Sequence, residues 1–317
     1  MSPGPEPVKI TFVPGFTMAR SRRSLADALR EIREQGLTVA LVPTMGYLHE
    51  GHLSLVDVAR RHADVVALSI FVNPMQFGEG EDLDRYPRDM ERDVKLAMER
   101  GVGLVFAPPR EEMYPGGEPV VTVDPGALAE RLCGTYRPGH FHGVVTVVAK
   151  LFGLVRPDVA VFGRKDYQQA VLIRRMVRDL NLPVEIQVGP LVREPDGLAM
   201  SSRNAYLSDD ERAQAVGLFQ ALEAADTAFR AGEGRPEVLL DRARSVLASH
   251  PLVRPQYLEL VDPETLEPLA EAREGAVLAA AVHLGSTRII DNLILGADRA
   301  DPRARTDSDT SGQGGGE

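Results

Sequence analysis

Residues 38–72, TVALVPTMGYLHEGHLSLVDVARRHADVVALSIFV, constrain the fold more tightly than any other part of the chain. An apolar, β-branched run ends at Pro43, and a polar, glycine-bearing turn with two histidines follows. Leu53, Leu55, Val56, Val58 and Ala59 then recur at helical spacing, and a second apolar run begins at Val65. Strand, turn, helix and strand in so short a span form the smallest unit of a parallel sheet. Ligands of such sheets sit on the loops that leave the carboxyl ends of the strands. His49 and His52 therefore fall on a turn and helix N-terminus already suited to anions.

The alternation continues. Strand candidates are residues 38–42, 65–72, 103–106, 158–162 and 184–187; helix-period segments are 24–35, 52–62, 88–100, 143–155 and 166–180. Repeated βα units predict an α/β fold with a Rossmann-like, doubly wound parallel sheet. A polar loop over 193–208 reads as a hinge. Beyond it, two helical stretches (209–231 and 236–250) and three strand candidates (256–261, 276–283 and 287–294) have a different texture. A second, smaller α+β lid domain is expected there. The domain limits are thus 1–192 and 193–296, and a tail over 297–317 has almost nothing to bury and is expected to be disordered.

Composition narrows the classes of function. An apolar fraction of 44% over 317 residues supports a real core, and no run approaches the roughly 20 apolar residues of a membrane span. A formal net charge of -10 argues against general nucleic-acid binding, which relies on a cationic surface. The N-terminal residues lack a secretory pattern, and the one cysteine, Cys133, excludes an intramolecular disulfide. The expectation is a soluble, cytoplasmic protein.

Four segments carry chemistry. His49 and His52 share one side of a helical turn; a metal reading needs a third ligand, for which His140 and His142 are candidates that no spacing enforces. Gly51 and the Pro-Thr-Met-Gly before the pair instead favour close backbone approach to a phosphate. Asn73 and Gln76 follow an apolar strand, where neutral amides suit hydroxyl and carboxylate groups. In VFGRKDYQQ, Lys165 follows the strand end at Gly163 and is placed to meet phosphate oxygens, while Asp166 either caps the next helix or accepts from a ribose hydroxyl. Ser201, Ser202 and Arg203 stand together on the hinge, where a closing loop supplies charge stabilisation.

PTMGYLHEGHLSL, SIFVNPMQF, YRPGHFHGV, VFGRKDYQQ and REPDGLAMSSRNAYLS occur in order at compatible spacing, and this combination resembles the pantoate–β-alanine ligases. The resemblance implies an AMP-forming amide ligase: pantoate is adenylated by ATP, and the β-alanine amine then displaces AMP. It implies an ATP loop of Met45, Gly46, Tyr47, Leu48, His49, Glu50, Gly51 and His52, with His52 at the family's proton-donor position. Gly163, Arg164, Lys165 and Asp166 become a second nucleotide contact, and Val192, Met200, Ser201, Ser202 and Arg203 a third. Gln76 and Gln169 match the pantoate-binding amides with Asn73 in support, and Gln76 also serves β-alanine. Mg2+ accompanies ATP, with Asp93 the candidate protein ligand. Residues 77–87 read as a mobile cover anchored by Tyr86, and a homodimer is implied. Arg164 departs from the acidic residue usual before the lysine. Three rivals share parts of the pattern: a nucleotidyltransferase acting on a phosphate ester, a non-catalytic adenine-nucleotide module and a metallohydrolase. The first would want cations where Gln76 and Gln169 stand.

Overall fold

The structure, a computed structural model, describes residues 15–297. A three-residue strand β1 (Thr17–Ala19) leads into α1 (Arg22–Glu34), capped at Ser21, whose hydroxyl accepts from the Ser24 amide while the Ser24 side chain bonds back. Leu25, Ala28, Leu29 and Ile32 form the buried stripe of α1, at the spacing that one helix face requires. Then come β2 (Val39–Thr44), α2 (Glu50–Ala59), β3 (Val65–Ile70), α3 (Met90–Glu99), β4 (Leu104–Phe106) and the short helices α4 (Arg110–Met113) and α5 (Cys133–Tyr136). The first half closes with α6 (His140–Val155), β5 (Val159–Gly163), α7 (Tyr167–Asp179) and β6 (Glu185–Gly189).

These six strands are all parallel, in the order β1-β4-β3-β2-β5-β6. β2 is paired with β3 from Val39 opposite Val65 to Thr44 opposite Ile70, and on its other edge with β5 at Ala40 and Leu41. The chain moves outward from β2 in both directions, so the crevice beyond the carboxyl ends of β2 and β5 is the topological switch point, where ligands of open α/β sheets bind. Both faces of the sheet are covered, which explains why β2 and β3 read as near-continuous apolar runs.

The second part holds α8 (Asp209–Ala215), α9 (Gly217–Arg230), α10 (Pro236–Ala248) and an antiparallel sheet β7 (Val253–Val261), β8 (Val277–Leu284) and β9 (Thr287–Ile294), in that order. Its own core joins Leu218, Leu222, Leu239 and Leu247 to Leu278 and Val282. Tyr257, Val261, Val277, Ala279 and Ala281 instead belong to the core of the large sheet, so the two parts are packed together through apolar side chains.

Several expectations need correction in detail. β1 was not expected, because three residues show no periodicity. The single helix expected over 209–231 is two, interrupted at Val216, and Gly217 sits so close to the His250 ring that a Cβ there would lie 2.6 Å from it. The disordered tail expected over 297–317 lies, apart from Ala297, outside the described residues.

Candidate active site

The turn between β2 and α2 is built around backbone that only a few residues tolerate. Gly46 has φ +84°, and a Cβ there would approach Asp93 Oδ2 and Ile70 Cγ2 to 2.9 Å. Tyr47 also has positive φ, and its N–H and that of Leu48 each donate to Asp93 at 2.7 Å. The Asp93 carboxylate, 1% exposed, therefore holds the turn from α3 with both oxygens. Asp93, expected at the metal, thus already engages both oxygens as a brace for the turn, and among the described residues no three His, Cys, Asp or Glu side chains converge as a metal site.

His49 is the N-cap of α2, and its Nδ1 accepts the Gly51 N–H at 3.1 Å. His52 Nδ1 in turn accepts the His49 N–H at 3.4 Å, an imidazole version of the capping box. Each Nδ1 is thus an acceptor, so the neutral tautomer of each ring carries its proton on Nε2. Burial, with the Lys165 charge adding, lowers the His49 pKa to about 4. Burial, then His49 and Lys165, puts His52 well below the ordinary imidazole value. The two rings, 4.0 Å apart between centroids, are neutral at pH 7 and hydrogen-bond donors rather than acids.

Beside them, the end of β5 turns through Arg164–Asp166, and Asn292 of β9 donates to the carbonyls of Arg164 and Lys165 at 2.9 Å each. The Lys165 ammonium has only a loose contact, 3.9 Å, with Asp166. Asp166 occupies the N-cap position of α7 but makes no side-chain capping bond, so the capping role expected for it is absent. Arg164 is half-buried near Arg193; among the described residues its Nε has no hydrogen-bond partner, and burial lowers its pKa.

The third wall is the hinge. Met200 N–H donates to the Val192 carbonyl, and Ser202 donates from its hydroxyl to the Tyr47 carbonyl at 3.2 Å, tying hinge to histidine turn. Ser201 caps the short helix Ser202–Tyr206. Arg193 pairs with Asp291 at 2.6 Å and stacks on Phe219, anchoring the hinge to the small sheet.

The fourth wall follows β3. Asn73, 1% exposed, spends its side chain on its neighbours: its amide donates to Gln76 Oε1 and to the Gly143 carbonyl, and its oxygen accepts from Tyr114 and the Met75 N–H. It orients Gln76 rather than offering a free group. Close packing of α6 permits this, since a Cβ at Gly143 would meet the Met75 carbonyl at 2.2 Å. Gln76 Nε2 points to Met45 Sδ. Gln76, Gln169, Lys165, both histidines, Met200 and the Ser-Ser-Arg group all line one cleft, with about 1320 Å³ of space counted out to open solvent.

Two contributors were not foreseen. His140, weighed as a metal ligand, donates from Nδ1 to the Gln76 carbonyl at 2.7 Å and meets Arg137 Nη1 at Nε2. Burial, with Arg137 adding, lowers its pKa to about 4. Arg137 grips Glu81 of the covering loop. His142 lies outside the cleft, 3.5 Å from Asp124 at the surface.

Imidazole donors, an ammonium, guanidiniums and amides on one largely polar cleft, at the switch point of a parallel sheet, suit an α/β enzyme of phosphate-ester or nucleotide chemistry. The family model described as pantoate-beta-alanine ligase matches residues 17–294, and the chain belongs to that family. Curated relatives named pantothenate synthetase include one from Thermoanaerobacter pseudethanolicus, 53% identical over 273 residues, covering 86% of this chain and 96% of the relative. Another, from Saccharopolyspora erythraea, is 53% identical over 295 residues, covering 92% and 96%. A solved pantothenate synthetase from Thermus thermophilus superposes with TM-score 0.83 at 48% identity, covering 88% of this chain and 99% of that one. A pantoate-beta-alanine ligase from Francisella tularensis, solved with beta-gamma ATP and beta-alanine, has TM-score 0.75 at 30% identity, covering 90% and 99%. The fold is theirs: a parallel six-stranded sheet with a small antiparallel one.

Proposed function

We propose that the chain condenses pantoate with β-alanine through pantoyl adenylate, releasing pyrophosphate and AMP. A pantoate carboxylate oxygen attacks the α-phosphorus of ATP and the Pα–O bond to pyrophosphate breaks. The β-alanine amine, having lost a proton, then attacks the acyl carbon, and AMP leaves with that carboxylate oxygen. Phosphoryl chemistry of this kind needs positioning and charge stabilisation more than covalent help.

The observation that carries this reading is the meeting of two kinds of group in one cleft. On one side stand neutral imidazole donors, Lys165 and the Ser201, Ser202 and Arg203 group; on the other stand the uncharged amides Gln76 and Gln169. The first set suits a triphosphate. The second suits a small hydroxy acid and argues against an acceptor bearing its own phosphate. His49 and His52 donate from Nε2 to phosphate oxygens, Lys165 neutralises their charge, and Met45 through Gly51 pack the nucleotide along α2. Gln169, whose side chain makes no hydrogen bond among the described residues, and Gln76 receive pantoate, and Gln76 also meets β-alanine.

Among the described residues there is no metal cage, so Mg2+ would arrive on the triphosphate, held by its oxygens and water. No step here runs through a protein-bound ion. We place the division between the nucleotide-binding body, 1–192, and the closing part, 193–296, at the hinge. A homodimer in the cytoplasm fits the family resemblance and the single cysteine; among the described residues no helix is long and apolar enough to cross a membrane. The test is direct: incubate with ATP, Mg2+, pantoate and β-alanine, and separate the nucleotides. AMP and pantothenate in equal amounts support the reading, whereas ADP with orthophosphate removes it.

A further inference from the structure

The loop over the cleft carries two adjacent acids that point to opposite walls. Glu81 receives Arg137 Nε at 2.6 Å and Nη2 at 2.5 Å, and Arg137 also donates to the Gln76 carbonyl and meets His140. Asp82 receives Arg203 Nε and Nη2, both at 2.9 Å. Each pair is a planar fork on a carboxylate, and all four side chains are largely withdrawn from solvent, 13–26% exposed. Arg137 precedes α6 in the large-sheet part, while Arg203 lies on the hinge. Closure of one loop therefore engages both halves of the molecule.

The Asp82 pair does something the Glu81 pair cannot. Arg203 and Arg137 both line the cleft, but of the two it is Arg203 that is assigned to the triphosphate; Asp82 takes its Nε and Nη2 edge, leaving Nη1 and the second Nη2 hydrogen for a ligand. Its guanidinium also lies over the Tyr86 ring at 5.4 Å, and Tyr86, 5% exposed, packs edge-on to Phe77. Tyr206 adds a hydrogen bond to the Arg85 carbonyl. The guanidinium thus has its plane set by an aromatic ring and its rotation set by a carboxylate, and both groups belong to the cover.

We infer that Glu81 and Asp82 form a two-armed latch in which Asp82 is also the positioning residue for Arg203. The arms differ in consequence. Arg203 presents its free edge, Nη1 and the second Nη2 hydrogen, to the transferring phosphate only while Asp82 holds the other edge, so shutting the cover and aiming this cation are one event. Adenylation is thereby confined to the state in which water is kept from the mixed anhydride. Glu81 acts on the cover and, through Arg137, on the Gln76 side of the cleft rather than on the groups assigned to the triphosphate. The inference rests on the assignment of Arg203 to the triphosphate proposed above, and the test separates the two.

Glu81→Gln, Asp82→Asn, Asp82→Glu and Arg203→Ala are compared with the parent enzyme in two measurements. Pyrophosphate released in the first turnover, with ATP, Mg2+ and pantoate but no β-alanine, reports adenylation. AMP formed per pantothenate at steady state reports leakage of the intermediate to water. At saturating pantoate, Glu81→Gln should adenylate faster than Asp82→Asn and raise the ratio above one. Asp82→Asn should raise the ratio and also slow adenylation by up to about 10²-fold, the scale of a misplaced group, while Asp82→Glu, which keeps the charge, restores most of that rate. Parent-rate adenylation by Asp82→Asn, or a ratio of one in both charge-removing variants, overturns the latch. Arg203→Ala should be slow; if it adenylates at the parent rate, the assignment of Arg203 to the triphosphate falls instead.

Discussion

Asp93→Asn is the substitution that most sharply separates a brace from a metal ligand. The carboxylate accepts the Tyr47 and Leu48 N–H groups at 2.7 Å each and is 1% exposed. Burial pushes its pKa up, and the two amide bonds oppose that push. In the asparagine variant one oxygen becomes a donor facing an N–H donor, and the other loses its charge. A hydrogen bond to a charged group contributes about 1.5–3 kcal/mol, and a buried unsatisfied donor costs a similar amount. The expected loss of stability is therefore about 2–4 kcal/mol, short of unfolding a domain of ordinary stability of about 5–15 kcal/mol. The same change frees the turn that sets both imidazoles, and displacement by about 1 Å costs on the order of 10²-fold in rate. Urea unfolding gives the first number and kcat/KM for ATP the second, each repeated across a magnesium titration. A brace gives losses that added magnesium does not repair. Parent stability with activity recovered at high magnesium would refute this reasoning and return Asp93 to the metal.

Further outcomes follow from the same geometry. His49→Ala and His52→Ala should each lower turnover by about 10²–10³, the usual effect of removing one donor from a developing charge, with the fold retained by circular dichroism; normal turnover in either removes that ring from the reaction. Gln169→Ala should weaken pantoate binding more than ATP binding when each ligand is titrated by calorimetry, and a selective loss of ATP affinity would contradict its assignment. The His49 and His140 pKa values are lowered to about 4, so the unfolded chain takes up protons that the folded one does not. Stability should accordingly hold above pH 6.5 and fall as the pH drops toward 4, by about 2 kcal/mol per ring at pH 5. A flat unfolding midpoint between pH 7 and pH 5 would count against neutral, buried imidazoles.

The parts of the fold legible in the sequence are those with a repeating signal. β2, β3 and β5 are uninterrupted apolar runs because both sheet faces are covered, and α1 and α7 show their buried stripes in the spacing of Leu and Ile. β1 is too short to carry a period, and the close fit of Gly217 against the His250 ring joins positions 33 apart in the chain. The turns that line the cleft were legible as motifs. Their supports were not: Asp93 reaches the turn from 45 and 46 positions away, and Asn292 reaches Lys165 across 127. Arg137 and His140 stood in a segment whose spacing gives no hint that both face the Gln76 carbonyl. Long-range hydrogen bonds of this kind leave no local pattern.

The central claim is that a pantoate oxygen attacks the α-phosphorus, and the fate of that oxygen tests it most directly. Pantoate carrying ¹⁸O in its carboxylate is turned over with ATP, Mg2+ and β-alanine, and the nucleotide product is analysed by mass spectrometry. The account predicts one ¹⁸O in the phosphate of AMP and none in pyrophosphate. Unlabelled nucleotide, with the label found instead in orthophosphate beside ADP, would contradict it.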